Sequence, residues 1–301
     1  MSEKSEYSEK SEFSSIDDKK IAIKIDEWLD LHWDEGFIPE DILRYYNWKE
    51  TRTKKAVYNR LRYLTKVQEP PTLKKSGKQY RIIDRDVDTI KWKDANPEAF
   101  FDITLPFDLH KYIRLHKRSV MIVGGVSNQG KTAFAHNVIS LNWDKHKIAL
   151  WDSENSAEEL AGRFCHYPDY EQWADDFVKD RSSNFSDVIE PDALNIIDYL
   201  EIQDNFYLVG KYIREIRDSL RDGIAIVLLQ KSESSALPIG REFSRHLPRC
   251  VITIDKGMLT IVKAKDRAQK TINPINMKWS FGIDNTGTQF INIERSYGSE
   301  Q

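Results

Sequence analysis

Cysteine is nearly absent from this chain of 301 residues: there are two, Cys165 and Cys250, without metal-type spacing. A disulfide framework is therefore not expected, and a reducing, cytoplasmic setting is. Long apolar runs are missing as well. No stretch approaches the roughly 18 residues of a membrane span, and the N-terminus lacks the apolar segment of a secretory signal. A membrane partner is not expected. Overall charge is small, with 45 Lys and Arg against 48 Asp and Glu. The total therefore says little about partners, but its distribution does. Between Arg44 and Arg81 stand twelve Lys or Arg against two acids, Glu50 and Glu69. Such a segment is a candidate for contact with a polyanion, or else a solvated helix face.

Residues 2–13 read SEKSEYSEKSEF, a polar unit of six residues repeated once with Tyr7 changed to Phe13. It cannot bury enough apolar surface to offset its chain entropy, so residues 1–16 are expected to be a disordered tail. From about Asp17 the pattern turns helical, with Ile21, Ile23, Ile25, Trp28, Leu29 and Trp33 on one face and Gly36 as the stop. A short helix is expected from Pro39 to Tyr46, and a third from Glu50 to Leu64, with Ala56, Val57, Leu61 and Leu64 at helical spacing. The third helix also carries Arg52, Lys54, Lys55, Arg60 and Arg62. PPTLKKSGKQYRII follows, reading as two short strands around a Ser-Gly turn, with Lys74, Lys75 and Lys78 on them. Three helices and a basic hairpin are the order of a winged helix-turn-helix domain, expected over residues 17–85. The third helix would enter the major groove of a duplex and the wing would lie on phosphates. The same fold is also used to bind protein. Residues 86–104, with Trp92, Phe100 and Phe101, read as a connector.

Strand and helix signals then alternate from residue 105 to the end, finishing in four strands. This predicts an α/β fold with a mostly parallel sheet, helices on both faces and a β-rich C-terminal end. Within it, GVSNQGKT fits the phosphate-loop pattern G-x-x-x-x-G-K-[ST] between a strand and a helix. The loop and following helix offer backbone N–H groups to phosphate oxygens. Gly125, Ser127, Asn128, Gln129, Gly130, Lys131, Thr132 and Ala133 are the candidate ATP-phosphate residues. Lys131 would reach the outer phosphates, and the Thr132 hydroxyl would hold Mg²⁺. Asp198, at the end of LNIID, is the second candidate Mg²⁺ residue, although Asn195 interrupts that strand's apolar run. Hydrolysis needs a group to activate water. Glu154 stands just after the strand expected over Lys147–Trp151 and is one candidate; Glu201 is the other. Ser156 and Glu159 read as a capping box, which leaves Glu154 free. Gln230 closes the apolar strand IAIVLLQ, where a polar group can sense the outer phosphate.

With these segments in place, residues from about Leu105 to Phe290 resemble the RecA-like core of DnaB-type replicative helicases and their plasmid and phage relatives, within a wider group that includes RepA, KaiC and RadA. GKTAFAHNVI, WDSENSAEELAGRF, IIDYLEI, IAIVLLQKSE and LTIVKAKDRAQK carry the resemblance in that order. It implies Glu154 as the water-activating residue, Asp198 at Mg²⁺, Gln230 as sensor, and Lys265 and Arg267 as fingers reaching a neighbouring subunit's site. It implies a ring, expected to be a hexamer, and a channel-facing loop in which Lys231, Arg241 and Arg245 contact a DNA strand. The chain departs from the family in two places: a winged helix stands where a helical primase-binding domain is usual, and Ala268 stands where a glycine often follows the finger arginine. Both bear on strand separation more than on ATP hydrolysis.

Three functions fit these residues. The first is a ring-forming ATPase that moves on or remodels DNA, a small phage- or plasmid-type helicase or translocase. It would hold single-stranded DNA in its ring and duplex on its winged helix, with replication proteins as partners. The second is a nucleotide-gated DNA-binding regulator or replication initiator with slow hydrolysis. The third is a RadA- or KaiC-like ATPase acting on protein.

Overall fold

The computed structural model describes residues 16–32, 36–87, 89–200, 208–231 and 246–296. They form two compact units that divide between Trp92 and Lys93.

The first unit has three helices, α1 (Ile16–Leu31), α2 (Pro39–Tyr45) and α3 (Thr51–Arg62), and a two-stranded antiparallel sheet of β1 (Leu73–Ser76) and β2 (Gln79–Ile82). Pro39 opens α2 with φ already set for a helix, and the Asp41 carboxylate accepts the Ile38 N–H at 2.8 Å. A turn of π-helix, Tyr63–Val67, continues α3. Ile25, Trp28, Ile42, Val57, Leu61, Leu64, Leu73 and Tyr80 form one core. Ile23 departs from the expected apolar face, being 57% exposed, and Trp33 lies outside the described residues. Gly77 turns the hairpin at φ +60°, a conformation open to glycine without steric cost. Phe37 bridges to Tyr80 through both backbone hydrogen bonds, 2.9 and 2.7 Å, tying the segment before α2 to the hairpin.

The second unit is α/β. Among the described residues its strands are β3 (Val120–Gly125), β4 (Ile148–Asp152), β5 (Val178–Asp180), β6 (Leu194–Asp198), β7 (Ile224–Gln230), β8 (Cys250–Asp255), β9 (Met258–Ala264), β10 (Lys278–Ile283) and β11 (Phe290–Ser296). They are ordered β11-β10-β9-β8-β3-β7-β6-β4-β5. β8, β3, β7, β6, β4 and β5 pair in parallel, and β9, β10 and β11 extend the β8 edge antiparallel. β3 is buried along its whole length, so alternate residues feed opposite cores. Met121 and Val123 meet Phe134, Val138 and Ile139 of α4 (Lys131–Asn142). Val120 and Ile122 meet Val209, Ile213 and Ile216 of α6 (Val209–Ser219) on the other face. α5 (Ala157–Phe164) follows β4 and starts with the capping box: Ser156 N–H donates to Glu159 at 2.8 Å, and Glu159 N–H to Ser156 Oγ at 3.3 Å.

One reading is corrected by the strand itself. Asn195 does not interrupt β6. It is fully buried, its Oδ1 accepts the Glu190 N–H at 2.9 Å, and its Nδ2 donates to the Glu190 carbonyl at 2.8 Å. A buried amide with its partners supplied sits in a strand at little cost. Within the stretch expected as a connector, 86–104, Phe101 and Ile103 are buried in the second unit's core, and Phe101 N–H donates to the Leu115 carbonyl at 2.7 Å. Among the described residues, no helix is long and apolar enough to cross a membrane.

Candidate functional site

The phosphate-type loop runs from the end of β3 into α4, and glycine is required at both of its ends. A Cβ on Gly125 would lie 2.6 Å from the Ile254 carbonyl oxygen and 2.9 Å from Lys131 Cγ. Gly130 has φ +99°, and its Cβ would lie 2.8 Å from Ile283 Cδ1. Asn128, also left-handed at φ 59°, takes the αL conformation that asparagine tolerates. Lys131 is half buried and folds back on the loop, donating from Nζ to the Val126 carbonyl at 2.9 Å. Burial pulls its pKa down, while Asp198 and Glu154 act in the opposite sense. Gln230 donates from Nε2 to Ser127 Oγ at 2.8 Å, and Gln129 Oε1 accepts the Lys256 N–H at 2.9 Å. The loop is thereby tied to the ends of β7 and β8. Ala133 is buried in the first turn of α4.

Beside the loop lies an acidic floor built by sheet register. β4 and β6 pair so that Asp152 stands opposite Asp198. Asp198 is 1% exposed, and its Oδ2 has no partner among the described residues. Burial raises its pKa to about 7; Asp152 and Glu154 push the same way, and the Thr132 hydrogen bond and Lys131 oppose them. An unpartnered buried polar atom costs on the order of 1–3 kcal/mol, so this oxygen is poised for a ligand. Thr132 hydroxyl and Asp198 carboxylate are hard oxygen donors of the type Mg²⁺ takes, and Thr132 acts to lower the Asp198 pKa. Asp152 spends its carboxylate locally. Its Oδ1 accepts the N–H groups of Glu154 and Asn155, each at 2.9 Å, and its Oδ2 accepts Asn155 Nδ2 at 2.8 Å. That turn sets the backbone of Glu154, whose exposed carboxylate is felt by both Lys131 and Asp198. Glu201 lies outside the described residues.

His136 is the residue that motif reading misses. It is 1% exposed on α4, packed edge-on to Phe164 with ring centroids 4.9 Å apart, and its Nε2 has no partner among the described residues. Burial, with Arg163 nearby, pushes its pKa down to about 3, so the imidazole is neutral. One of its nitrogens and an oxygen from each of Asp152 and Asp198 lie within 4.8 Å of one another. Asp152 was also overlooked. The signal for it is an aspartate directly after the strand expected over Lys147–Trp151, matching Asp198 at the end of LNIID in the same parallel sheet.

Lys265 and Arg267 are exposed and stand away from their own loop. Lys265 N–H donates to the Arg249 carbonyl at 2.9 Å, and Arg249 N–H to the Val120 carbonyl at 3.0 Å. They therefore lie at the starting end of β3, while the loop is at its far end, about 17 Å away for a strand of this length. Arg267 bridges to Ile113 through the backbone.

Of the residues expected to contact DNA, Arg52, Lys54, Lys55, Arg62, Lys74, Lys75 and Lys78 are exposed in the first unit. Arg60 is engaged internally: Nε donates to Asp26 at 3.0 Å, and its guanidinium lies over the Tyr63 ring. Lys231 is corrected. It is 6% exposed, and Nζ donates to Asp255 at 2.8 Å, so its charge is neutralised inside the fold and is not presented to a strand. Arg241 and Arg245 lie outside the described residues.

No family profile and no curated protein matches the chain. Among solved structures, a KaiC-like protein from Pyrococcus horikoshii is similar at TM-score 0.48 with 15% identity, over 65% of this chain and 98% of that one. A RadB recombinase is similar at TM-score 0.41 with 12% identity, over 60% and 92%. An isolated ATPase domain is similar at TM-score 0.43 with 14% identity, over 60% and 86%.

Proposed function

We propose that the second unit is a RecA-like P-loop ATPase that binds ATP and Mg²⁺, assembles into a ring, and couples hydrolysis to movement on or remodelling of DNA. The observation that carries the ATPase reading is the joining of Lys131, Thr132, Asp198 and Gln230 in one site: the loop lysine, a hydroxyl against a buried carboxylate, and a strand-end amide hydrogen-bonded to the loop. In this reading the loop N–H groups and Lys131 bind the phosphates, and Thr132 and Asp198 hold Mg²⁺. The bound ion supplies charge neutralisation at the transferring phosphate. Glu154 accepts a proton from the attacking water. Gln230 exchanges its Ser127 hydrogen bond for one to the outer phosphate, so loss of that phosphate is felt at the end of β7.

Lys265 and Arg267 are assigned to a neighbour's site because they stand a strand length from their own loop. A finger supplied in trans is a recurrent way to stabilise phosphoryl transfer. The first unit, read as a winged helix-turn-helix domain, is the duplex-binding part, with α3 toward the groove and the β1–β2 hairpin on phosphates. The exposed basic side chains on both elements support this.

The test is the ATPase rate with and without single-stranded and duplex DNA. Stimulation by single-stranded DNA, abolished by Lys131→Ala, is expected. A rate indifferent to any DNA would leave an ATPase with another task.

A further inference from the structure

We propose that His136, Asp152 and Asp198 form a site for a divalent first-row transition cation, set behind the phosphate loop. The three ligands come from three different elements, α4 and the ends of β4 and β6, all fixed by core packing. Their donor atoms lie within 4.8 Å of one another, and all three residues are buried. Two of these side chains carry polar atoms with no partner among the described residues, His136 Nε2 and Asp198 Oδ2. Buried polar atoms seldom stay unpaired in a native fold, and here two such side chains share one cluster. An imidazole that only filled the core would find a carbonyl or hydroxyl, as Asn137 beside it does by donating to the carbonyls of Ala133 and Thr288, each at 2.8 Å.

The donor set decides the class of ion. Mg²⁺ takes oxygen ligands and keeps its waters. One imidazole nitrogen with two carboxylates suits Mn²⁺, Co²⁺ or Zn²⁺ better. Ligands held about 2.1 Å from such an ion sit roughly 3–4 Å apart, so modest side-chain rotation closes the site. Asp152 is already oriented for this by the N–H groups of Glu154 and Asn155 and by the Asn155 amide, the kind of outer support that metal-ligating carboxylates have. Phe164 packs edge-on against the His136 ring and limits its rotation. The site shares Asp198 with the nucleotide site and so deepens that reading, but occupancy requires no nucleotide.

The experiment uses the full chain, nucleotide-free, with Mn²⁺ as probe, reading ¹⁴N coupling to the bound ion by pulsed electron paramagnetic resonance. Nitrogen coupling is expected in the wild type. It should vanish in His136→Gln, and Mn²⁺ affinity should fall at least tenfold. Asp152→Asn leaves every imidazole in place and should also weaken Mn²⁺ binding about tenfold. If His136→Gln fails to fold by circular dichroism, Asp152→Asn decides. Mn²⁺ bound by oxygen alone in the wild type, or coupling and affinity unchanged in the folded variants, overturns the site. Lys131→Ala separates the two readings: lost ATP binding with nitrogen coupling retained leaves the cation site standing apart from nucleotide chemistry.

Discussion

At the residue scale the most consequential group is Asp198. Its carboxyl titrates near pH 7 in the fold and near 3.8 when unfolded. Between those values the folded chain holds a proton that the unfolded chain has released. Stability therefore falls as pH rises through this window, and the loss is complete above about pH 7. Asp198→Asn removes that penalty. In EDTA and without nucleotide, the variant should melt several degrees above wild type at pH 8, on the order of 2–4 kcal/mol, and level with it near pH 4. An equal difference at both pH values would mean that Asp198 is not the strained carboxylate. The role of Asp198 was readable from its place at a strand end. Its burial opposite Asp152, and the approach of His136, were not, because sheet register and a helix rotation are set by packing over long sequence separations.

Lys231 makes a second case. Its basic character and its place after the Gln230 strand suggest a strand contact, yet its ammonium lies in the fold against Asp255. Lys231→Met should leave the partly exposed Asp255 carboxylate without its ammonium partner and cost about 1 kcal/mol in chemical denaturation. A variant of unchanged stability that binds single-stranded DNA more weakly would restore the contact reading.

At the element scale, the loop between β3 and α4 depends on backbone geometry that glycine alone supplies. Gly130→Ala places a methyl against Ile283 and Phe290 at φ +99°. It should cost at least about 1 kcal/mol and reduce nucleotide binding measured by calorimetry. Full binding with an unshifted melting temperature would show the loop to be more adaptable than its contacts indicate. β6 teaches the converse about sequence reading. Asn195 looked like a break because hydropathy cannot see that Glu190 and Ile224 supply its partners. The alternation of strands with helices was legible since β3, β4 and β7 are nearly continuous apolar runs. The short edge strand β5 was not, having only Val178 among charged neighbours.

At the scale of the whole molecule, charge separates the two units. The exposed lysines and arginines on α3 and the β1–β2 hairpin belong to the first unit, and the nucleotide chemistry belongs to the second. Replacing Lys54, Lys55 and Lys74 with Ala should weaken duplex binding and flatten its dependence on salt by about three phosphate contacts, while DNA-independent ATP hydrolysis persists. An unchanged salt slope would place the duplex elsewhere.

The central claim is an ATP site completed by a neighbouring copy. It is tested most directly by mixing Lys131→Ala, which lacks its own loop lysine, with Arg267→Ala, which lacks the finger. Each alone should be nearly inactive. Mixed, they should recover a substantial fraction of the wild-type ATPase rate, since Lys131→Ala subunits still carry Arg267 and can complete the sites of Arg267→Ala subunits. No recovery, together with a monomeric mass for the wild-type protein under assay conditions, would contradict the account.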